Sequence, residues 1–319
     1  MASLLVIGGS GFFGKSILDA YRRGLLEQWC IKSILIIARK AESLKESNPE
    51  LISDSIKLIN ADISSCLELP RADYIIHAAA STDAANYINR PDIEKKNIQE
   101  GTYNFCRLVE KFCIDSKILY ISSGAVYGKQ PVDVEHITEE NSYLDLESLD
   151  THKKGYAASK RDSESAIMKL GDRGLQVSIA RCFAFVGKYL PRNQHFAIGN
   201  FIEDGLNSRS IQARGVRPTY RSYMYADDLV DWMMTILKSA SNTCEVFNLG
   251  SDESISIHNL AYIISERFSV GISAQPYKFQ DSDKYIPSIK KARNKLGLKL
   301  NYRLTDAIDQ TIQRILEVD

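Results

Sequence analysis

The chain has 319 residues, and its 40 basic and 40 acidic side chains cancel to a formal net charge of zero, so no global field gathers nucleic acid or an anionic membrane surface. At 44% hydrophobic and 25% charged residues the composition is that of an ordinary globular protein, which excludes intrinsic disorder for the whole. Apolar runs such as Ile34 to Ala38 fall far short of the roughly 18 residues that cross a bilayer, and no secretory pattern precedes the glycine cluster after Ile7, so no membrane partner and a cytoplasmic address are expected.

Taken in chain order, short β-branched runs alternate with longer amphipathic stretches. Strands are expected at Leu4–Ile7, Ser33–Ala38, Ser55–Ile59, Tyr74–His77 and Lys117–Ser122, and helices over Phe13–Arg23 and Asp92–Cys113. That rhythm is βαβ and gives a parallel sheet. Runs such as Ile34 to Ile37 are apolar on consecutive residues, as in a sheet covered by helices on both faces. The expected fold class is therefore α/β, with a doubly wound parallel sheet. From Gly128 to His152 the chain turns acidic (Asp133, Glu135, Glu139, Glu140, Asp145, Glu147, Asp150) and reads as a surface loop. A helix over Tyr156–Leu170 and a strand over Val177–Ala180 follow. Beyond Phe185 the pattern is broken by Pro191, Gly199, Gly205, Gly215 and Pro218 before strand and helix return over Tyr223–Leu237. Residues 1–180 with 222–265 are expected to form one domain, and 181–221 with 266–319 a smaller C-terminal lobe. No internal repeat or low-complexity tract is present.

The six cysteines (Cys30, Cys66, Cys106, Cys113, Cys182, Cys244) show no C-x-x-C or Cys/His clustering, so no metal site is expected and they read as reduced core thiols. Cys106 and Cys113 fall on one helix, but seven residues at 1.5 Å rise separate them by about 10 Å, too far for a disulfide.

Three motifs carry chemistry. Gly8-Gly9-Ser10-Gly11-Phe12-Phe13-Gly14 lies between the first strand and the first helix, where glycines let the backbone turn sharply and approach a pyrophosphate that the helix N-terminus then meets. Tyr156-Ala157-Ala158-Ser159-Lys160 falls on a helix, where i,i+4 spacing brings phenol and ammonium together within about 6 Å. The cation is expected to lower the phenol's pKa and make Tyr156 a usable acid/base. Of the 16 tyrosines only this one has a lysine four residues on. Ser122-Ser123-Gly124-Ala125-Val126-Tyr127-Gly128 closes a core strand at its carboxyl end, where open α/β sheets bind ligands.

In this order the three motifs resemble the extended short-chain dehydrogenase/reductase superfamily, the nucleotide-sugar epimerases and dehydratases. Further matches run along the chain: Asn60-Ala61-Asp62-Ile63 resembles the adenine-contacting element, and His77-Ala78-Ala79-Ala80 the strand end beside the cofactor. Arg181-Cys182-Phe183-Ala184-Phe185-Val186-Gly187 resembles the segment after the sixth strand, Arg221-Ser222-Tyr223-Met224-Tyr225-Ala226-Asp227-Asp228 the diphosphate clamp, and Phe247-Asn248-Leu249-Gly250 and Lys290 to Gly297 its late elements.

The resemblance implies a Rossmann-type dinucleotide-binding domain with a substrate-binding C-terminal lobe, and a homodimer formed through Asp92–Cys113 and Tyr156–Leu170. It implies Ser123, Tyr156 and Lys160 as catalytic residues: Tyr156 moves the proton of a sugar hydroxyl, usually at C4, Lys160 holds the ribose and Ser123 bonds the reacting oxygen. Dinucleotide contacts are expected from Gly8, Ser10, Gly11, Phe12, Phe13, Gly14, Arg39, Lys40, Asp62, Ile63, Ala78, Ala79, Ala80, Tyr156, Lys160 and Phe183. Substrate contacts are expected from Ser81, Ser123 and Arg221, the substrate being a nucleotide-diphosphate sugar.

Departures from the family pattern narrow the reading. Gly124-Ala125 stands where the 4,6-dehydratases carry an Asp-Glu pair, and Ala184 where many members carry asparagine. An epimerase or 4-ketoreductase is therefore expected, with a dehydratase or a non-catalytic dinucleotide sensor as alternatives. His152 and His195 are candidate pocket groups. After the second strand come Ala38-Arg39-Lys40 with no carboxylate before Glu42. An acid there repels a 2′-phosphate and arginine pairs with it, so NADP is the expected cofactor, with NAD the alternative.

Overall fold

The computed structural model describes residues 2–80, 88–141, 143–149 and 151–317. A seven-stranded sheet runs in the order β8-β6-β5-β4-β1-β2-β3, made of β1 (Ala2–Ile7), β2 (Ile31–Ala38), β3 (Ile56–Asn60), β4 (Tyr74–His77), β5 (Lys117–Ser123), β6 (Gln176–Cys182) and β8 (Glu245–Leu249). The pairings among β1 to β6 are all parallel. This is the doubly wound Rossmann-type α/β fold, and the strand order reverses between β1 and β4, where such sheets open a ligand crevice at their carboxyl ends.

Burial of both faces explains why the strands are apolar on consecutive residues. Leu4, Leu5, Val6 and Ile7 are all buried, and alternation sends Leu5 and Ile7 to one face and Leu4 and Val6 to the other. The first face joins Ile75, Tyr120, Ile118, Val177 and Ile179 to Phe105, Leu108 and Val109 of a helix over Pro91–Phe112, and to Ile167 and Leu170 of a helix over Thr151–Asp172. In chain order these are α3 and α4, after α1 (Phe12–Arg22) and the short α2 (Leu44–Ser47). The small pair Thr102 and Ser163 lets α3 and α4 approach, their hydroxyls 3.0 Å apart and buried.

The chain divides into two compact units: Met1–Val126 with Asp150–Cys182 and Val230–Phe247, and Tyr127–Leu149 with Phe183–Leu229 and Asn248–Asp319. In the second, β7 (Thr219–Arg221) lies between β9 (Ile255–Ser256) and β10 (Asp283–Tyr285). There α5 (Ala197–Leu206) packs close to the helix over Ile257–Phe268, and a Cβ on Gly205 would stand 2.1 Å from the Phe268 ring.

Two expectations change. The acidic stretch after Gly128 is not a plain surface loop: Gln130 and Ile137 are buried, Gln130 Oε1 accepts from the Ile286 amide at 2.9 Å, and the Glu139 carboxylate accepts from the Asn248 amide at 2.8 Å. Acidic composition misled because these polar side chains satisfy backbone groups inside the second unit. The cysteines are all free, but Cys30 is exposed, not a core thiol. It sits at a left-handed helix end, φ 56°.

Candidate active site

The glycine turn sits at the switch point and its geometry requires glycine. Gly8 has φ +86°, and a Cβ there would meet the Ala79 backbone at 2.7 Å; one on Gly14 would stand 2.0 Å from the Gly9 carbonyl oxygen. The Gly8 amide donates to the Ile37 carbonyl at 2.7 Å and the Ala78 amide to the Ile7 carbonyl at 2.8 Å, so the turn is tied to the end of β2 and the end of β4 to that of β1. Gly11 is the N-cap of α1 and, lacking a side chain, leaves the first-turn amides uncapped. Such amides bind anionic oxygens. Close backbone approach, positive φ and an uncapped 11-residue helix fit a dinucleotide's pyrophosphate. Ser10, Phe12 and Phe13 are half-buried around this turn, the two rings 5.7 Å apart.

Arg39 and Lys40 are exposed just past β2, and Glu42 pairs with Lys45 at 2.5 Å. Asp62 turns its carboxylate back on Ser64, taking the amide at 2.9 Å and the hydroxyl at 2.8 Å. The Ile63 side chain is buried, and a Cβ on Gly101 of α3 would stand 3.2 Å from it. Ala78, Ala79 and Ala80 are half-buried, whereas Ser81 lies outside the described residues. Before them His77 is 2% exposed, its Nδ1 accepting from the Ala79 amide at 3.3 Å. Burial, with Lys160 adding to it, pushes this imidazole down to about 3, so it is neutral.

Strand β5 and helix α4 bring Ser123, Tyr156 and Lys160 together. The Ser123 hydroxyl hydrogen-bonds the Tyr156 phenol and accepts from the Ala125 amide at 3.2 Å. Lys160 Nζ is 6.0 Å from the Tyr156 ring centroid but donates to the Ile121 carbonyl at 2.8 Å and to the Tyr120 hydroxyl at 3.3 Å. This corrects the expected electrostatics. Burial pushes the Tyr156 phenol above its ordinary value, and Lys160 and Ser123 pull it back only in part. Burial also opposes the charge on Lys160, but the oxygens of Tyr120 and Tyr156 outweigh it and hold the ammonium above its ordinary range. A half-buried phenol beside a fixed cation and a hydroxyl can accept or return a proton on a substrate oxygen.

Beneath this group lies a buried ion pair that the sequence reading did not register. Arg181 donates to Glu164 at 2.8 Å, and Ser122 donates to the same carboxylate at 2.5 Å. It ties β5, β6 and α4 into one frame. Tyr120 was also missed; the signal was a phenol inside an otherwise apolar stretch, Ile118 to Ile121.

Phe183 and Arg221 belong to the second unit. Phe183 packs on Tyr285, ring centroids 4.6 Å apart. Arg221 is held by Asp283, its guanidinium 2.8 Å from the carboxylate and 3.1 Å from the same residue's carbonyl. His195 is exposed beside Phe196, centroids 4.2 Å apart, and the His152 side chain lies outside what the structure describes.

Set against known proteins, residues 4–250 match the NAD dependent epimerase/dehydratase family. The chain belongs to that family. It is thus an NAD(P)-dependent enzyme of the epimerase/dehydratase type. UDP-glucuronic acid decarboxylase 1 of Danio rerio is 26% identical over 316 residues, which span 97% of this chain and 72% of that protein. The putative UDP-glucose 4-epimerase of Methanocaldococcus jannaschii is 26% identical over 322 residues, 97% of each chain. The solved structure of UDP-N-acetylglucosamine 4-epimerase from Methanobrevibacter ruminantium M1, in complex with UDP-N-acetylmuramic acid, is similar with a TM-score of 0.80 at 21% identity, covering 98% of this chain and 97% of that one. That likeness carries the fold. Among the described residues no helix is long and apolar enough to cross a membrane.

Proposed function

We propose that this epimerase/dehydratase family member is an NAD(P)-dependent nucleotide-sugar epimerase or 4-ketoreductase, acting at sugar C4 with Tyr156 as acid/base. The observation that carries the reading is a glycine turn shaped for a pyrophosphate in the same unit as the hydrogen-bonded Ser123–Tyr156 pair and the buried Lys160. The nicotinamide, when bound, supplies the hydride acceptor and donor. Tyr156 takes the proton of the C4 hydroxyl or returns it. Ser123 donates to the same oxygen as charge develops on it, and Lys160 keeps a cation beside the phenol and offers its remaining N–H to the ribose.

Gly8, Ser10, Gly11, Phe12, Phe13 and Gly14 would hold the pyrophosphate, Asp62 and Ile63 the adenine, and Ala78, Ala79, Ala80 and Phe183 the nicotinamide side. Ser81 and Arg221 would hold the substrate. Arg221 would meet a diphosphate beside the Asp283 carboxylate or in its place, its planar fork suiting either anionic partner.

Gly124 and Ala125 carry no titratable proton, which favours epimerisation or reduction over water elimination. The decarboxylase relative bears on the same chemistry: oxidation at C4 of a hexuronate makes a β-keto acid, so UDP-glucuronate belongs among the substrates tried. NADP is the proposed cofactor, because Arg39 and Lys40 stand exposed past β2 where a 2′-phosphate would need a cation. Cofactor titration tests it: Arg39→Asp should weaken NADP binding by about tenfold or more and spare NAD, and tighter NAD binding by the native chain would contradict it. A homodimer through α3 and α4, in the cytoplasm, completes the proposal; light scattering at micromolar concentration should give twice the chain mass. The function itself is tested by turnover of UDP- and dTDP-linked hexoses, hexosamines and hexuronates. Conversion of at least one at C4 is expected, and inertness to all with dinucleotide bound would refute it.

A further inference from the structure

Lys160 has titratable side chains of four elements around it: Tyr156 on its own helix, Tyr120 on β5, Cys182 on β6 and His77 on β4. His77 is neutral, and burial pushes the Cys182 thiol up to about 12, so neither supplies a countercharge. What fixes the ammonium is β5. One N–H goes to the Ile121 carbonyl at 2.8 Å and a second to the Tyr120 hydroxyl at 3.3 Å, while the ammonium lies 4.8 Å from the Tyr120 ring centroid. Tyr120 is 1% exposed, and its ring is held edge-on by His77 at 5.5 Å. An ammonium has three N–H bonds in tetrahedral array, so two fixed acceptors set the direction of the third. We propose that Tyr120 is a positioning residue for Lys160, a second phenol that accepts from the ammonium and aims its remaining N–H at the dinucleotide ribose.

The inference rests on the proposed role of Lys160, and its test reads cofactor binding without turnover. As an acceptor, Tyr120 favours the charged lysine, so its loss lets Lys160 lose its proton at lower pH. Tyr120→Phe keeps the ring and removes one oxygen. It should weaken NADPH binding by about threefold to tenfold, and the alkaline loss of binding should begin at lower pH than in the native chain. A double-mutant cycle supplies the control: in a Lys160→Met background, which abolishes the ammonium, Tyr120→Phe should change NADPH affinity by less than about twofold. Equal effects in both backgrounds would reduce Tyr120 to packing and overturn the inference; so would an unchanged affinity and pH profile in Tyr120→Phe alone. Should the phenylalanine variant not fold, Tyr120→Leu gives the same cycle, its loss having to be smaller in the Lys160→Met background. If Lys160→Met itself leaves NADPH affinity intact, the ribose role fails, and the positioning role fails with it, whereas loss of nucleotide-sugar turnover alone bears only on the proposed function.

Discussion

Among single residues, Tyr156 carries the proton transfer proposed for this site. Its spacing from Lys160 was legible in the sequence, because i,i+4 residues share a helix face whatever the tertiary fold. The balance of forces on the phenol was not legible. That balance depends on burial and on which carbonyl and hydroxyl claim the lysine's protons, and Ile121 and Tyr120 claim two of them. Burial holds the phenol above its ordinary value, and Lys160 and Ser123 offset this only in part. Tyr156→Phe should lower turnover by about 10²–10⁴-fold while NADP affinity changes little, read by steady-state kinetics and by fluorescence titration. A rate within threefold of the native one would remove Tyr156 from the chemistry. Arg221 shows the opposite kind of limit: its flanking residues suggested a clamp, but a partner 62 positions away, Asp283, is invisible to local pattern.

At the element scale, the glycine turn and the sheet it serves were the most readable parts, because strand periodicity, unbroken apolar runs and glycine spacing are local. Steric detail separates glycines that the motif treats alike. A Cβ on Gly11 would find its nearest neighbour, the Gly8 carbonyl oxygen, at 3.6 Å, whereas one on Gly14 would lie 2.0 Å from the Gly9 carbonyl oxygen. Gly11→Ala should therefore melt within about 2 °C of the native chain, while Gly14→Ala should lose about 1–3 kcal/mol or more and bind dinucleotide weakly. Equal melting temperatures would show that the turn gives way more easily than this packing implies. The segment 127–149 was read poorly for the converse reason. Its Gln130 and Glu139 side chains bond backbone amides far along the chain, those of Ile286 and Asn248, and composition says nothing about such partners.

For the whole molecule, pH acts on stability through His77. The folded imidazole is held near 3, chiefly by burial, while in the unfolded chain it titrates near 6.5. The unfolded state therefore binds the extra proton first, so this group's contribution is complete above about pH 6.5 and is lost as pH falls toward 3, at about 1.4 kcal/mol per pH unit. Urea denaturation at pH 7 and pH 5 should show the native chain losing about 2 kcal/mol more than His77→Phe does across that interval. Equal losses would mean that the buried imidazole takes up its proton without cost.

If hydride passes between a sugar carbon and the nicotinamide under the control of Tyr156, isotope transfer will register it. Nucleotide sugars deuterated at C4, UDP-glucose, UDP-N-acetylglucosamine and UDP-glucuronate among them, are incubated with the dinucleotide-loaded protein and the nicotinamide is analysed by mass spectrometry within one turnover. Deuterium is expected on the nicotinamide from at least one of these sugars, and its disappearance in Tyr156→Phe. Unlabelled nicotinamide with every sugar, in a folded protein that holds its dinucleotide, would contradict it.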